Sequence, residues 1–301
     1  MRILCAVDGS ECSQWGLHTL EALADREPED VTLLYVVDPS ALRGGRDRKP
    51  ISETPALAAM DKAGGILLRE AERSARIALG QAATGPRTTL HHVLAHGPIA
   101  QTIVRQARRM KADLILLGSR GLSDIRGFLL GSVSRQIASI APCSILVVKQ
   151  PIQKLARVVL AVDDSKHSRA AARFLRSRIL PEAATTTILA SAERPVTDLA
   201  VRYLSKSQVA ELERPVLEHA TRLVAGLRDE FLKEGYAVVT DVKMGHVIDT
   251  IVRHVEADHA SLLVIGSRDL TKSERLYLGS VSESLLRHAP CSVLIVRGWR
   301  A

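Results

Sequence analysis

Residues 97–121, GPIAQTIVRQARRMKADLILLGSRG, recur as GHVIDTIVRHVEADHASLLVIGSRD at 245–269. The stretch GSVSRQIASIAPCSILVVK at 131–149 recurs as GSVSESLLRHAPCSVLIVR at 279–297. Both pairs align without a gap at an offset of 148 residues, and the openings RILCAVDGS (2–10) and RVVLAVDDS (157–165) align at 155. Self-similarity on this scale makes the chain two copies of one domain. The copies are expected at 1–150 and 157–301, joined by residues 150–156, with the second about seven residues shorter in its middle.

Within a copy, apolar β-branched runs alternate with helical periodicity. Strands are predicted at 2–8, 31–38, 88–95, 113–119 and 144–149. Helices are predicted from Ser10 to about Leu23, from Thr54 to about Leu79, over Pro98–Met110 and from Ser132 to about Ile140. Thr54-Pro55 reads as an N-cap with proline at the first helical position, whereas Gly64-Gly65 weakens that helix and could break it. Strands alternating with helices imply right-handed crossovers and a parallel sheet covered on both faces, and continuous apolar strands fit that burial. The fold class is therefore α/β: two tandem five-stranded, doubly wound parallel-sheet domains of Rossmann-like type, with strand order 3-2-1-4-5.

Such a sheet binds ligands beyond the carboxyl ends of its strands, where the order reverses, here between the first and fourth strands. Asp8-Gly9-Ser10 and Gly118-Ser119-Arg120-Gly121 occupy those two ends. The second segment continues as Gly118-x2-Gly121-x9-Gly131-Ser132-Val133-Ser134. Glycines permit positive φ and let a phosphate approach the main chain without a Cβ in the way. Gly131-Ser132 then opens a helix whose free N–H groups favour an anion. The Ser132 and Ser134 hydroxyls can add donors, Arg120 can pair with a phosphate, and Asp8 can accept from a ribose hydroxyl or an adenine amino group. The bland alternative makes each glycine a turn residue, Ser132 an N-cap and Asp8 a cap of the next helix.

AVDGS at the first strand, G-x2-G-x9-G-S, SVS, and APCS before the last strand resemble the universal stress protein family, as two family domains in tandem. The resemblance implies an adenine-nucleotide site, with ATP and accompanying Mg²⁺ as cofactor. It assigns Gly118, Gly121, Gly131 and Ser132 to the phosphates, and Asp8 and Val36 to the nucleoside. It also implies pairing through the last strand, hence an intramolecular pseudo-dimer of the two domains, and leaves a homodimer open. The second copy keeps Asp163, Gly266, Gly279 and Ser280 but has Asp269 for the second glycine and Ser191 for Val36, so a weaker or differently adapted second site is expected there.

The function so implied is an ATP-binding stress-response regulator with little or no catalysis. A slow ATPase or nucleotidyl transferase of related fold, and a scaffold that binds no nucleotide, are the rivals. Walker A and dinucleotide GxGxxG patterns are absent. No apolar run approaches the 18–20 or so residues of a membrane span, and the opening lacks a signal-peptide core, so a cytoplasmic location and no membrane partner are expected. The net charge of +8 is shared evenly: 19 Lys/Arg against 15 Asp/Glu in residues 1–150 and 22 against 18 thereafter, +4 in each half. Charge spread in this way, with 3% aromatic residues, argues against a nucleic-acid partner. The basic run 43–50 reads as a solvated loop. Cys5, Cys12, Cys143 and Cys291 lack paired spacing and read as reduced structural thiols, with Cys12 the candidate for a reactive one. His92 and His96 share a strand face but stand about 13 Å apart, too far for one ion, so no metal site is expected.

Overall fold

The computed structural model describes residues 1–24, 28–42, 53–80, 88–121, 130–197, 202–267 and 278–298. The basic run at 43–50 and Asp269 lie outside these residues. The chain divides into two compact units, with a boundary between Lys154 and Leu155.

In the first unit, β1 (Arg2–Ala6), β2 (Asp30–Val37), β3 (Thr89–His96), β4 (Leu114–Gly118) and β5 (Ser144–Val148) alternate with helices. These are α1 (Glu11–Ala24), α2 (Glu53–Leu79), α3 (Ile99–Met110) and α4 (Ser132–Ile140). All neighbouring strands are parallel, in the order β3-β2-β1-β4-β5. The direction of winding reverses after β3, so right-handed crossovers place α1 and α2 on one face and α3 and α4 on the other, and each pair packs together. Ile3, Leu33, Leu114, Ile115 and Ile145 are inaccessible to solvent, as expected of strands covered on both faces.

The second unit repeats this order as β8-β7-β6-β9-β10. Its strands are β6 (Arg157–Val162), β7 (Thr185–Ala192), β8 (Ala237–Met244), β9 (Leu262–Gly266) and β10 (Ser292–Val296). Its helices are α5 (Lys166–Phe174), extended by a π turn over Leu175–Ile179, α6 (Lys206–Lys233), α7 (Val247–Ala257) and α8 (Ser280–His288). Ser205 and Gln208 close a reciprocal capping box at the start of α6.

Gly64-Gly65 does not break α2, which runs unbroken through both residues. A Cβ on Gly64 would lie 2.7 Å from Tyr35 Cδ1 and 2.9 Å from Leu94 Cδ1. The glycine lets α2 settle onto β2 and β3, and that packing offsets its cost to helix propensity.

Candidate functional site

The first and fourth strands of the first unit part at their carboxyl ends, as the strand order requires, and a cleft of about 220 Å³ opens there. Asp8, Val36, Gly118, Arg120, Gly121, Ser132, Val133 and Ser134 all line it. Gly131 lies one residue behind, buried as the N-cap of α4. Leu34 and Tyr35 from β2, Leu117 from β4, and Ile99 and Ile103 from α3 supply an apolar wall. Those two isoleucines are four apart on one helix face, a spacing that could have marked them from sequence.

The N-terminus of α4 is the polar end of this cleft. Gly131 adopts φ −73°, ψ 159°, and α4 has no side-chain cap. Its own N–H donates to Ser119 O at 2.8 Å. Of the four N–H groups a helix start leaves without intrahelical acceptors, those of Ser132, Val133 and Ser134 remain without a partner among the described residues. By contrast α1 is capped: Ser13 N–H donates to Ser10 Oγ at 3.2 Å. Ser10 Oγ in turn donates to Arg120 O at 3.2 Å, tying the two loops of the cleft together. The Arg120 side chain has no ion-pair partner among the described residues.

Several roles read from sequence change here. The extended φ of Gly131 is open to any residue, so this glycine is not required for positive φ. Gly118 serves packing: a Cβ there would sit 2.6 Å from Cys12 C and 2.8 Å from Cys12 O, so its absence lets the start of α1 lie against the end of β4. Ser134, buried, donates its hydroxyl to Gly118 O (2.9 Å) or Ser119 O (3.0 Å) and is not a free donor. Asp8 Oδ1 accepts Ser10 N–H at 2.9 Å, a bracing of the loop, while Oδ2 has no partner among the described residues. The positive φ in this region belongs to Gly9, at +82°.

The second unit repeats the cleft with a volume of about 380 Å³. Asp163, Gly266, Gly279 and Ser280 line it together with Ser165, His167, Ser191 and Ser282. Ser191 pairs with Lys243 as Val36 pairs with Ala95, so the two stand at equivalent positions. Asp163 Oδ1 accepts from Ser165 N–H at 3.2 Å and Ser165 Oγ at 2.5 Å. Gly266 repeats the packing role of Gly118, a Cβ there clashing with the main chain of His167 and Ser168.

All four cysteines are buried free thiols. Burial pushes the Cys5 thiol well above its ordinary range. Cys12 is 5% exposed and receives only a long contact, 3.8 Å, from Ser119 Oγ; its burial removes the access that a reactive thiol needs. The strand histidines have separate acidic neighbours: His91 with Asp30 (3.9 Å), His92 with Glu72 (3.3 Å) and His96 with Asp61 (2.7 Å). No group of three or more His, Cys, Asp or Glu suited to a metal occurs among the described residues. Among them, too, no helix is long and apolar enough to cross a membrane.

The chain is similar to known proteins over both units. Residues 1–149 and 154–297 each match the Universal stress protein family. A universal stress protein of Methanocaldococcus jannaschii is 29% identical over 150 residues, 50% of this chain and 82% of the relative. One of Bacillus subtilis is 28% identical over 153 residues, 49% of this chain and 98% of the relative. The crystal structure of a universal stress protein from Archaeoglobus fulgidus superposes with a TM-score of 0.67 at 21% identity, covering 98% of this chain and 96% of that one.

Proposed function

Because this chain belongs to the universal stress protein family, we propose that it is an ATP-binding regulatory protein whose nucleotide sits in the cleft of the first unit. The observation that carries this reading is the uncapped start of α4. Three N–H groups, on Ser132, Val133 and Ser134, face the cleft with no acceptor among the described residues. A phosphate would supply that acceptor. Arg120 would pair with it from the β4 loop, and Gly121 would leave the approach unobstructed. The apolar wall around Val36 suits the two faces of an adenine base, and Asp8 Oδ2 is available to a ribose hydroxyl or an exocyclic amine. Any Mg²⁺ would be carried on the phosphates. Asp8 is the one carboxylate on the cleft among the described residues, and Oδ1 is already committed to Ser10 N–H. That arrangement favours holding a nucleotide over activating a water for its hydrolysis. The bound state then serves as the signal, in the cytoplasm and without membrane or nucleic-acid contact.

The test is to denature purified protein and assay the supernatant for adenine nucleotide, then to titrate the emptied protein with ATP by calorimetry. Retained ATP and one site per chain are expected. ADP as the only retained species would favour slow hydrolysis. An empty protein that gives no heat with ATP overturns the reading in favour of a scaffold.

A further inference from the structure

The two clefts stand at equivalent places in the same fold, yet their polar ends are wired differently. In the first unit, two bonds tie the start of α4 to the end of β4: Gly131 N–H to Ser119 O, and Ser134 Oγ to Gly118 O or Ser119 O. The second unit has the same residues at these places, Gly279 and Ser282 facing Gly266 and Ser267, but neither bond is present. Ser282 is 8% exposed and lines the cleft, and its hydroxyl has no partner among the described residues. Four N–H groups at the start of α8, on Gly279, Ser280, Val281 and Ser282, are likewise unmatched. The Ser282 hydroxyl opens on the cleft and is not sealed in the core, so a polar occupant can take the place of water as its partner. His167 adds to it: this half-buried residue lines the second cleft where the first unit has the buried Cys12.

The other end of the cleft has changed in the same sense. Three β2 residues, Leu34, Tyr35 and Val36, form the apolar wall of the first cleft, whereas β7 contributes Ser191 alone to the second. An aromatic base would lose that wall, while Val247, Ile251 and Ile265 keep the opposite side of the cleft apolar. A ligand rich in hydroxyls would gain Ser191, whose Oγ makes only a long bond of 3.4 Å to Gly245 O, and the second oxygen of Asp163, whose Oδ1 is held by Ser165.

We propose that the second unit binds a phosphorylated sugar or polyol, with its phosphate on the start of α8, Ser282 and His167, and its hydroxyls toward Asp163 and Ser191. The site is distinct from the nucleotide site of the first unit and has its own selectivity.

The probe is D-ribose 5-phosphate, titrated calorimetrically into the full chain saturated with ATP. One site per chain is expected, with inorganic phosphate binding more weakly and competing for it. Ser282→Ala and His167→Cys should each weaken ribose 5-phosphate at least tenfold, about 1.4 kcal/mol, while ATP binding by the same proteins is unchanged. Ser280→Asp, at an exposed position, should abolish it without a change in fold. The proposal is overturned if ribose 5-phosphate gives no heat at millimolar concentration, if ATP displaces it, or if these variants bind it as the parent does. Should ATP not bind at all, the titration is run on the free protein and these outcomes still decide it, since none depends on the first unit.

Discussion

Placing a carboxylate at the first position of α4 separates a phosphate site from a merely capped helix, because the two have effects of opposite sign. Ser132 is exposed and its side chain makes no hydrogen bond among the described residues. In Ser132→Asp the new charge faces the unmatched N–H groups of Ser132, Val133 and Ser134. An acidic group at a helix start stabilises by about 0.3–1 kcal/mol. For a unit of this size that is roughly 1–4 °C in the melting temperature of the ligand-free protein. A phosphate docked on the same groups would meet that carboxylate at about 4 Å. The repulsion is about 1 kcal/mol at the dielectric of water and about 4 kcal/mol at the effective value near a protein surface. ATP affinity should therefore fall by about fivefold to several hundredfold while ligand-free stability rises. Scanning calorimetry and ATP titration of one preparation read both quantities, with Ser280→Asp as the control that leaves ATP affinity intact. A stabilised variant that binds ATP as tightly as the parent would show that the phosphates lie elsewhere.

Gly118→Ala should cost about 1–3 kcal/mol of stability, since the added methyl meets the main chain of Cys12 at 2.6 Å and backbone cannot yield as a side chain does; an unchanged denaturant midpoint would count against this. Gly131→Ala, at φ −73°, adds no backbone strain and should shift the midpoint less than Gly118→Ala does in the same denaturant series. Gly64→Ala should destabilise even though alanine is the better helix former by about 1 kcal/mol, because Tyr35 and Leu94 occupy the space; a stabilised variant would refute that packing role. Thiol titration should count four free cysteines under denaturing, non-reducing conditions and react slowly in the native protein, all four being buried; a shortfall would reveal a disulfide.

The sequence made the sheet legible because parallel strands buried on both faces leave unbroken apolar runs, and because the repeat supplied each reading twice. Strand ends came out within one or two residues: β1 stops at Ala6, short of Asp8, since Gly9 turns the chain at φ +82° to start α1. Helix α4 matched at both ends, bounded by Gly131-Ser132 and by Ala141-Pro142. What could not be read was the division of labour among glycines. Gly118 and Gly131 look alike in a motif, yet one gives way to a neighbouring backbone and the other starts a helix with a φ that any residue adopts. That difference depends on which atoms arrive opposite each Cα from residues more than a hundred positions away in the chain.

The same limit applies to the serines, and there it bears on function. Ser134 and Ser282 are the same residue in the same SVS triplet, and pattern alone assigns them one role. The structure commits one hydroxyl to the carbonyls at the end of β4 and leaves the other open in its cleft. One substitution read from the sequence, Ser191 for Val36, and one that the structure brings out, His167 for Cys12, lie at the second cleft. Each replaces an apolar or buried group with a hydrogen-bonding one. Ser191 and His167 are half-buried, and Ser191 Oγ already reaches Gly245 O at 3.4 Å, so the fold carries both without a large desolvation cost. If the second unit takes a ligand of its own, these two side chains and the open Ser282 hydroxyl are the groups that would hold it, and the ribose 5-phosphate titration decides between that and an empty cleft.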